Sequence, residues 1–240
     1  MHFFRESLTY TDPPTAATPA EARVFNRDLR SAYTFSEASA IITLTFAEAV
    51  SLDNVWMKVK GLSGWSVSVD GTSLASGSIS DASVDSFIYS DGDITGTVFR
   101  FDFTRATATP TAYIYEIWLL PHLFSFDVAD NRPTLFLPRG MDPGGIAYRS
   151  ENGTLISYAG QSGGKRGLQI RWDYLSQEDT DRLEDLFYGP PVRKPFTIFP
   201  QPLLKPNEIY VVRWQNDFVR AVTAESIASG YTIEMLLEEI

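Results

Sequence analysis

The sequence predicts a mainly β protein: a β-sandwich in the first half, then a second β unit that carries one short helix. Three observations lead there. Short runs rich in β-branched and aromatic residues recur along the whole chain, separated by Gly, Ser, Asp and Pro clusters. Helical periodicity with start and stop signals occurs only once, over 176–188. There is no cysteine, so neither disulfides nor thiolate zinc sites help hold the fold. At 240 residues the chain can bury a sizeable core without such staples.

In chain order, residues 1–30 mix Pro, Thr, Ala and charge, and an irregular arm is expected, with His2 at a frayed end. Residues 40–46 and 54–60 run or alternate apolar and are expected as two strands. Residues 65–74 keep period two up to Asp70-Gly71, a dipeptide suited to the positive φ angles of a two-residue hairpin turn. Strands at 86–89, 96–103 and 112–120 complete a first domain over residues 1–125. Residues 121–145 are a linker rich in Pro and Gly that leads into a second domain over residues 126–240. Within it, Asn152-Gly153 sits between two alternating runs and marks a hairpin. The same Asn opens a glycosylation sequon, Asn152-Gly153-Thr154, but the turn is the favoured reading. The glycine-rich stretch 159–167 lacks Walker spacing and precedes a strand, so it reads as a mobile loop or as an arm ordered by a neighbour. A strand at 168–172 leads to the helix. Ser176 is its cap, Glu178 and Asp179 occupy its first turn, Leu183, Leu186 and Phe187 share one face, and Gly189-Pro190-Pro191 stop it. Strands at 195–200, 210–214 and 231–238 follow.

The order of the first half, with Ile42-Thr43-Leu44-Thr45-Phe46, Leu52-Asp53-Asn54-Val55-Trp56 and the closing run Tyr113-Ile114-Tyr115-Glu116-Ile117-Trp118-Leu119, resembles discoidin-like, galactose-binding-like jelly rolls. That resemblance implies a fold and leaves the ligand open. The second half reads hairpin, glycine-rich loop, strand, helix, strand, loop, strand, final strand. Its key runs are Leu168-Gln169-Ile170-Arg171-Trp172, Lys194-Pro195-Phe196-Thr197-Ile198-Phe199-Pro200 and Tyr231-Thr232-Ile233-Glu234-Met235-Leu236-Leu237. It resembles the tail-tube-like β-sandwich of long-tailed bacteriophage tail-tip proteins, the distal tail proteins and lambda M-type minor tail proteins. The resemblance implies a structural virion protein, made in the host cytoplasm. It would be a homo-oligomer, a hexameric ring that joins the tail tube to the tip or baseplate proteins and lines the DNA conduit. The domain order departs from distal tail proteins, where the ring domain comes first.

On that reading the large groups at Trp172, Tyr188, Phe199, Leu203, Leu204 and Trp214 are possible inter-subunit contacts, with core the favoured reading for Trp172, Tyr188, Phe199 and Trp214. The proline-punctuated segment 200–206 could dock on a partner or serve as a hairpin connection. The alternative function is a carbohydrate-binding module that contacts a host glycan, with Trp56, Trp65, Tyr89 and Trp118 as candidate contacts; Trp65 could equally be core.

Composition narrows the remaining classes. Formal charge is −10, with 8 Lys/Arg against 14 Asp/Glu through Ser125 and 12 against 16 after it. Neither half carries a nucleic-acid footprint. No stretch reaches the ~18 apolar residues of a membrane helix, and the N-terminus does not resemble a signal peptide. His2 and His122 are the only histidines and have no spaced partners, so neither a metal site nor a Ser-His triad is expected. Asp127 and Asp130 follow His122 in what reads as a solvated linker. Asp81, Asp85, Asp91 and Asp93 form the densest acidic stretch, but it does not match the EF-hand pattern and a polar loop is favoured. No pair of carboxylates stands out for glycoside hydrolysis, so no enzymatic activity and no cofactor are expected.

Overall fold

The computed structural model describes residues 1–11, 14–16, 18–25, 31–126, 135–139, 146–149, 155–158, 167–189, 195–201, 205, 207–222 and 230–239. The chain is mainly β. It separates into two compact units, one of His2–Leu123 with Phe199–Ile209, the other of Met1, Phe124–Ile198 and Tyr210–Ile240.

The first unit opens with β1 (His2–Arg5), a one-turn helix α1 (Leu8–Thr11), β2 (Thr15–Ala16) and a 3-10 turn over Glu21–Phe25. The expected irregular arm is therefore corrected. Phe3, Phe4 and Val24 have no exposed surface. The Phe4 ring packs edge-on against Phe199 at 5.7 Å and against His122 at 5.6 Å. The Leu119 N–H donates to Ser7 Oγ at 2.9 Å. These partners lie about a hundred residues or more away, and local composition cannot register them.

Then come β3 (Tyr33–Phe35), β4 (Ser39–Lys60), β5 (Leu62–Val69), β6 (Thr72–Ser78), β7 (Ser86–Arg105), β8 (Ala112–Leu120) and β9 (His122–Ser125). The ladder runs β3-β8-β4-β7-β5-β6, with β2 on β4, and its described pairs are antiparallel. Residues 40–46 and 54–60 are not two strands but the two ends of β4, and 86–89 and 96–103 are likewise both in β7. Register shifts between Thr45 and Val50 and between Leu52 and Asn54 bend the pair without ending it. Ile42 and Leu44 from one arm of the bend and Val55, Met57 and Val59 from the other enter one buried cluster. Phe99, Phe101, Phe103, Ile114, Ile117 and Leu119 join them there. The bent sheet thus encloses a single sandwich core. Asp70-Gly71 turns β5 into β6 as predicted: Val69 pairs with Thr72, and the two turn residues have φ of 47° and 82°.

On the other face of β4 lies a smaller cluster of Phe4, Trp56, Leu120 and Phe199, flanked by Phe87, Tyr89, Trp118 and Ile209. The 199–209 segment thus returns to the first unit. Phe199 seats beside Tyr89, with ring centroids 5.2 Å apart.

The second unit contains β10 (Leu135–Arg139), β11 (Ile146–Arg149), β12 (Leu155–Tyr158), β13 (Gly167–Leu175), α2 (Gln177–Tyr188), β14 (Phe196–Phe199), β15 (Tyr210–Trp214), β16 (Ala221–Val222) and β17 (Tyr231–Glu239). Here the order is β10-β13-β17-β15-β14, with β16 also on β17, and β11-β12 form a separate antiparallel pair. That pair flanks the expected Asn152-Gly153 turn, which itself lies outside the described residues, as do residues 159–166. Leu168, Ile170 and Trp172 of β13 alternate inward opposite Leu237, Met235 and Ile233 of β17. The helix starts as read: Ser176 Oγ accepts from the Asp179 N–H at 3.1 Å. Leu183 and Phe187 are buried and Leu186 is half-buried. Gly189 closes the helix with φ −60°, not in the left-handed region. A Cβ there would sit 2.4 Å from the Asp185 carbonyl oxygen, so close approach is what requires glycine.

Candidate functional site

The first unit presents an open pocket of about 430 Å³. It is lined by Trp65 of β5, Gly77 and Ser78 of β6, the connection through Ile79, Ser80, Asp81 and Val84, and Ser86–Tyr89 of β7. Its volume lies in the roughly 300–1,000 Å³ range of small-molecule sites. Trp65, Phe87 and Tyr89 are the aromatic residues of its lining. Ser78, Ser80 and Ser86 provide hydroxyls, and Asp81 provides one carboxylate.

Local structure explains how each group is placed. Trp65 stands opposite Gly77 in the β5-β6 register. Its indole lies so close over that glycine that a Cβ at 77 would be 2.7 Å from Nε1 and 2.9 Å from Cε2 and Cζ2. The ring is half-buried, because its inner side packs on the margin of the sandwich core. Phe87 and Tyr89 alternate with Ile88 along β7, and Tyr89 is held against Phe199 and pairs across the sheet with Trp56. Lys58 Nζ lies 5.8 Å from the Phe87 ring and forms an ion pair with Asp85 at 3.6 Å. Asp81 closes a short turn: its Oδ1 accepts from the Ser83 N–H at 2.9 Å and from Ser83 Oγ at 2.5 Å. These two bonds, the hydroxyl's first, hold the Asp81 carboxyl below the usual aspartate range, so it is ionised.

Of the four predicted glycan contacts, Trp65 and Tyr89 line this pocket. Trp56 and Trp118 do not: Trp56 is 2 % exposed and packs tilted against half-buried Trp118 at 4.4 Å in the smaller cluster. A buried ring has no face to offer a ligand, so Trp56 is corrected to a packing residue. Phe87, Ser78, Ser80 and Ser86 were not singled out by sequence, because nothing local distinguishes them from other strand residues. Asp81 was noted only as part of an acidic stretch. Asp85 is paired with Lys58 and Asp93 faces solvent. Among the described residues no three acidic or histidine side chains converge as metal ligands.

The predicted inter-subunit residues divide differently. Trp172 (1 % exposed), Phe199 (1 %) and Trp214 (2 %) are spent on their own chain. Trp172 meets Phe126 edge-on at 5.5 Å, and Trp214 meets Phe187 at 5.1 Å. They are corrected to core residues. Tyr188 is 57 % exposed at the helix end. Leu203 and Leu204 lie outside the described residues. His122, expected in a linker, is in β9; its N–H donates to Asp53 Oδ2 at 2.8 Å. Asp127 and Asp130 lie outside the described residues. Among the described residues no helix is long and apolar enough to cross a membrane.

No family model matches the chain, and no curated protein matches it. Among solved structures, similarity extends to chitosan-binding module 1 of a chitosanase/glucanase from Paenibacillus sp. IK-5, at 15 % identity over 48 % of this chain and 98 % of that one, with a TM-score of 0.39. The family 32 carbohydrate-binding module of C. perfringens NanJ, in complex with galactose, is similar at 9 % identity over the same shares, with a TM-score of 0.39. The AlyQ family 32 module in complex with 4,5-unsaturated mannuronic acid is similar at 16 % identity over 48 % of this chain and 96 % of that one, with a TM-score of 0.38.

Proposed function

We propose that the first unit is a carbohydrate-binding module that takes a sugar into the pocket of Trp65, Phe87 and Tyr89. One observation carries this reading: aromatic residues, serines and an aspartate line the same open cavity. A pyranose ring has an apolar C–H face and a rim of hydroxyls. It needs an aromatic surface for the first and a few fixed donors and acceptors for the second. Trp65 is held by core contact on one side, so its ring is ordered before a ligand arrives and little rotamer entropy is lost on binding.

The test is binding of purified protein across a glycan array, followed by calorimetry on any hit. Trp65→Ala is expected to weaken binding several-fold, and Tyr188→Ala, at an exposed position in the other unit, is expected to leave it unchanged. An array with no hits, or equal affinity in wild type and Trp65→Ala, contradicts the proposal.

A second reading, a ring-forming subunit of a phage tail tip, rests on the resemblance of the second half's sequence runs to tail-tip proteins. Native mass spectrometry tests it. Assemblies in multiples of six support it, and a monomer across the concentration range removes it.

A further inference from the structure

We infer that the pocket selects an amino sugar, with the Asp81 carboxylate receiving the protonated amine. This rests on the carbohydrate reading above and adds the charge class of the ligand. Asp81 is the only ionisable acid or base among the pocket-lining residues apart from the Tyr89 phenol, and no cation pairs with it among the described residues. Both of its hydrogen bonds come from Ser83 and both go to Oδ1, leaving Oδ2 outside that turn. The neighbouring carboxylate, Asp85, is already compensated by Lys58, whose ammonium is held at 3.6 Å and is not itself a lining group. The pocket therefore offers hydroxyls, aromatic surface and one uncompensated negative charge. Neutral sugars gain from the first two alone. Uronic acids and other anionic sugars are repelled by the third. A ring bearing an ammonium gains from all three, and aromatic faces add to its attraction.

The Asp81 side chain is solvent-accessible, so the gain is modest: about two- to five-fold in affinity at low salt, the size of an exposed ion pair. The experiment compares matched monosaccharide pairs by NMR titration of the full chain in mildly acidic, low-salt buffer: glucosamine against glucose, galactosamine against galactose, mannosamine against mannose. Each pair differs only at the amine, so ring configuration cancels. Asp81→Asn removes the charge but keeps an oxygen acceptor for Ser83. The expected result is a two- to five-fold preference for the amine in at least one pair, reduced to parity in Asp81→Asn and shrinking as salt is added. A parent sugar that binds through Trp65 while its amine shows no advantage overturns this inference and leaves the carbohydrate reading standing. Preference for the amine that survives in Asp81→Asn also overturns it. If no sugar of any pair binds, this inference falls, and an empty glycan array removes the carbohydrate reading with it.

Discussion

Replacing Gly77 with alanine asks how the protein holds Trp65, because the added methyl would sit 2.7 Å from the indole nitrogen and 2.9 Å from two ring carbons. No side chain tolerates that approach, so either the strands part or the ring moves. β6, which carries residue 77, is the edge strand and is held to β5 along its length, and β5 is held in turn to β7. Spreading that ladder would cost about 1–3 kcal/mol, as overpacking does. The indole is half-buried and has solvent to swing into, at the loss of one cross-strand contact, about 0.2–1 kcal/mol. The ring is therefore the part that gives. Gly77→Ala is expected to lose no more than about 1 kcal/mol in urea unfolding. Sugar affinity is expected to drop about two- to tenfold, since an aromatic contact is worth about 0.5–1.5 kcal/mol beyond area. Fluorotryptophan labelling would show one of the five tryptophan signals displaced. Gly71→Ala is the control. Its Cβ would meet nothing within 4 Å, but its φ of +82° strains any L side chain by about 1–2 kcal/mol. It should lower stability and leave affinity alone. A Gly77→Ala protein that binds as wild type, with every tryptophan signal unmoved, refutes this account of Trp65.

Three further outcomes are expected. Phe4→Ala removes a fully buried ring from the smaller cluster and should cost about 3–5 kcal/mol in chemical denaturation, whereas an irregular arm would show almost none. Ser176→Ala removes the helix cap and should cost about 1 kcal/mol, and Leu183→Ala about 2–5 kcal/mol, so unfolding curves should rank packing above capping. The Ser83 bonds hold Asp81 below its ordinary value, so their contribution is present above the usual aspartate value of about 3.9 and fades as pH falls through the lower folded value. In Ser83→Ala, a carboxyl NMR titration should show Asp81 moving up toward that ordinary value.

What the sequence made legible was local chemistry. Asp70-Gly71 announces a turn because few other dipeptides tolerate two positive φ angles, and Ser176 announces a helix because its oxygen reaches the Asp179 N–H. The end strands of the second unit could be read because their β-branched and aromatic runs stop at turn residues. What stayed hidden depends on distant partners. β4 and β7 each read as two strands because Glu48 and Asp53, Asp91 and Asp93 interrupt their apolar runs, yet each continues through bulges. Phe3 and Phe4 sit among residues with the composition of a coil, and only the sheet face that receives them makes a strand. Trp56 and Trp65 are alike in sequence. One is sealed by Trp118 and Phe87, and the other is left with an open edge beside Gly77. The return of 199–209 to the first unit is a matter of tertiary packing that no window of sequence contains.

The most direct test of the central claim is an amide chemical-shift map of the whole chain during titration with the best-bound sugar. The account predicts that the largest changes fall at 77–81 and 86–89 and at the Trp65 indole N–H, and that they disappear in Trp65→Ala. Changes confined to the second unit, or spread without any at those positions, would contradict it.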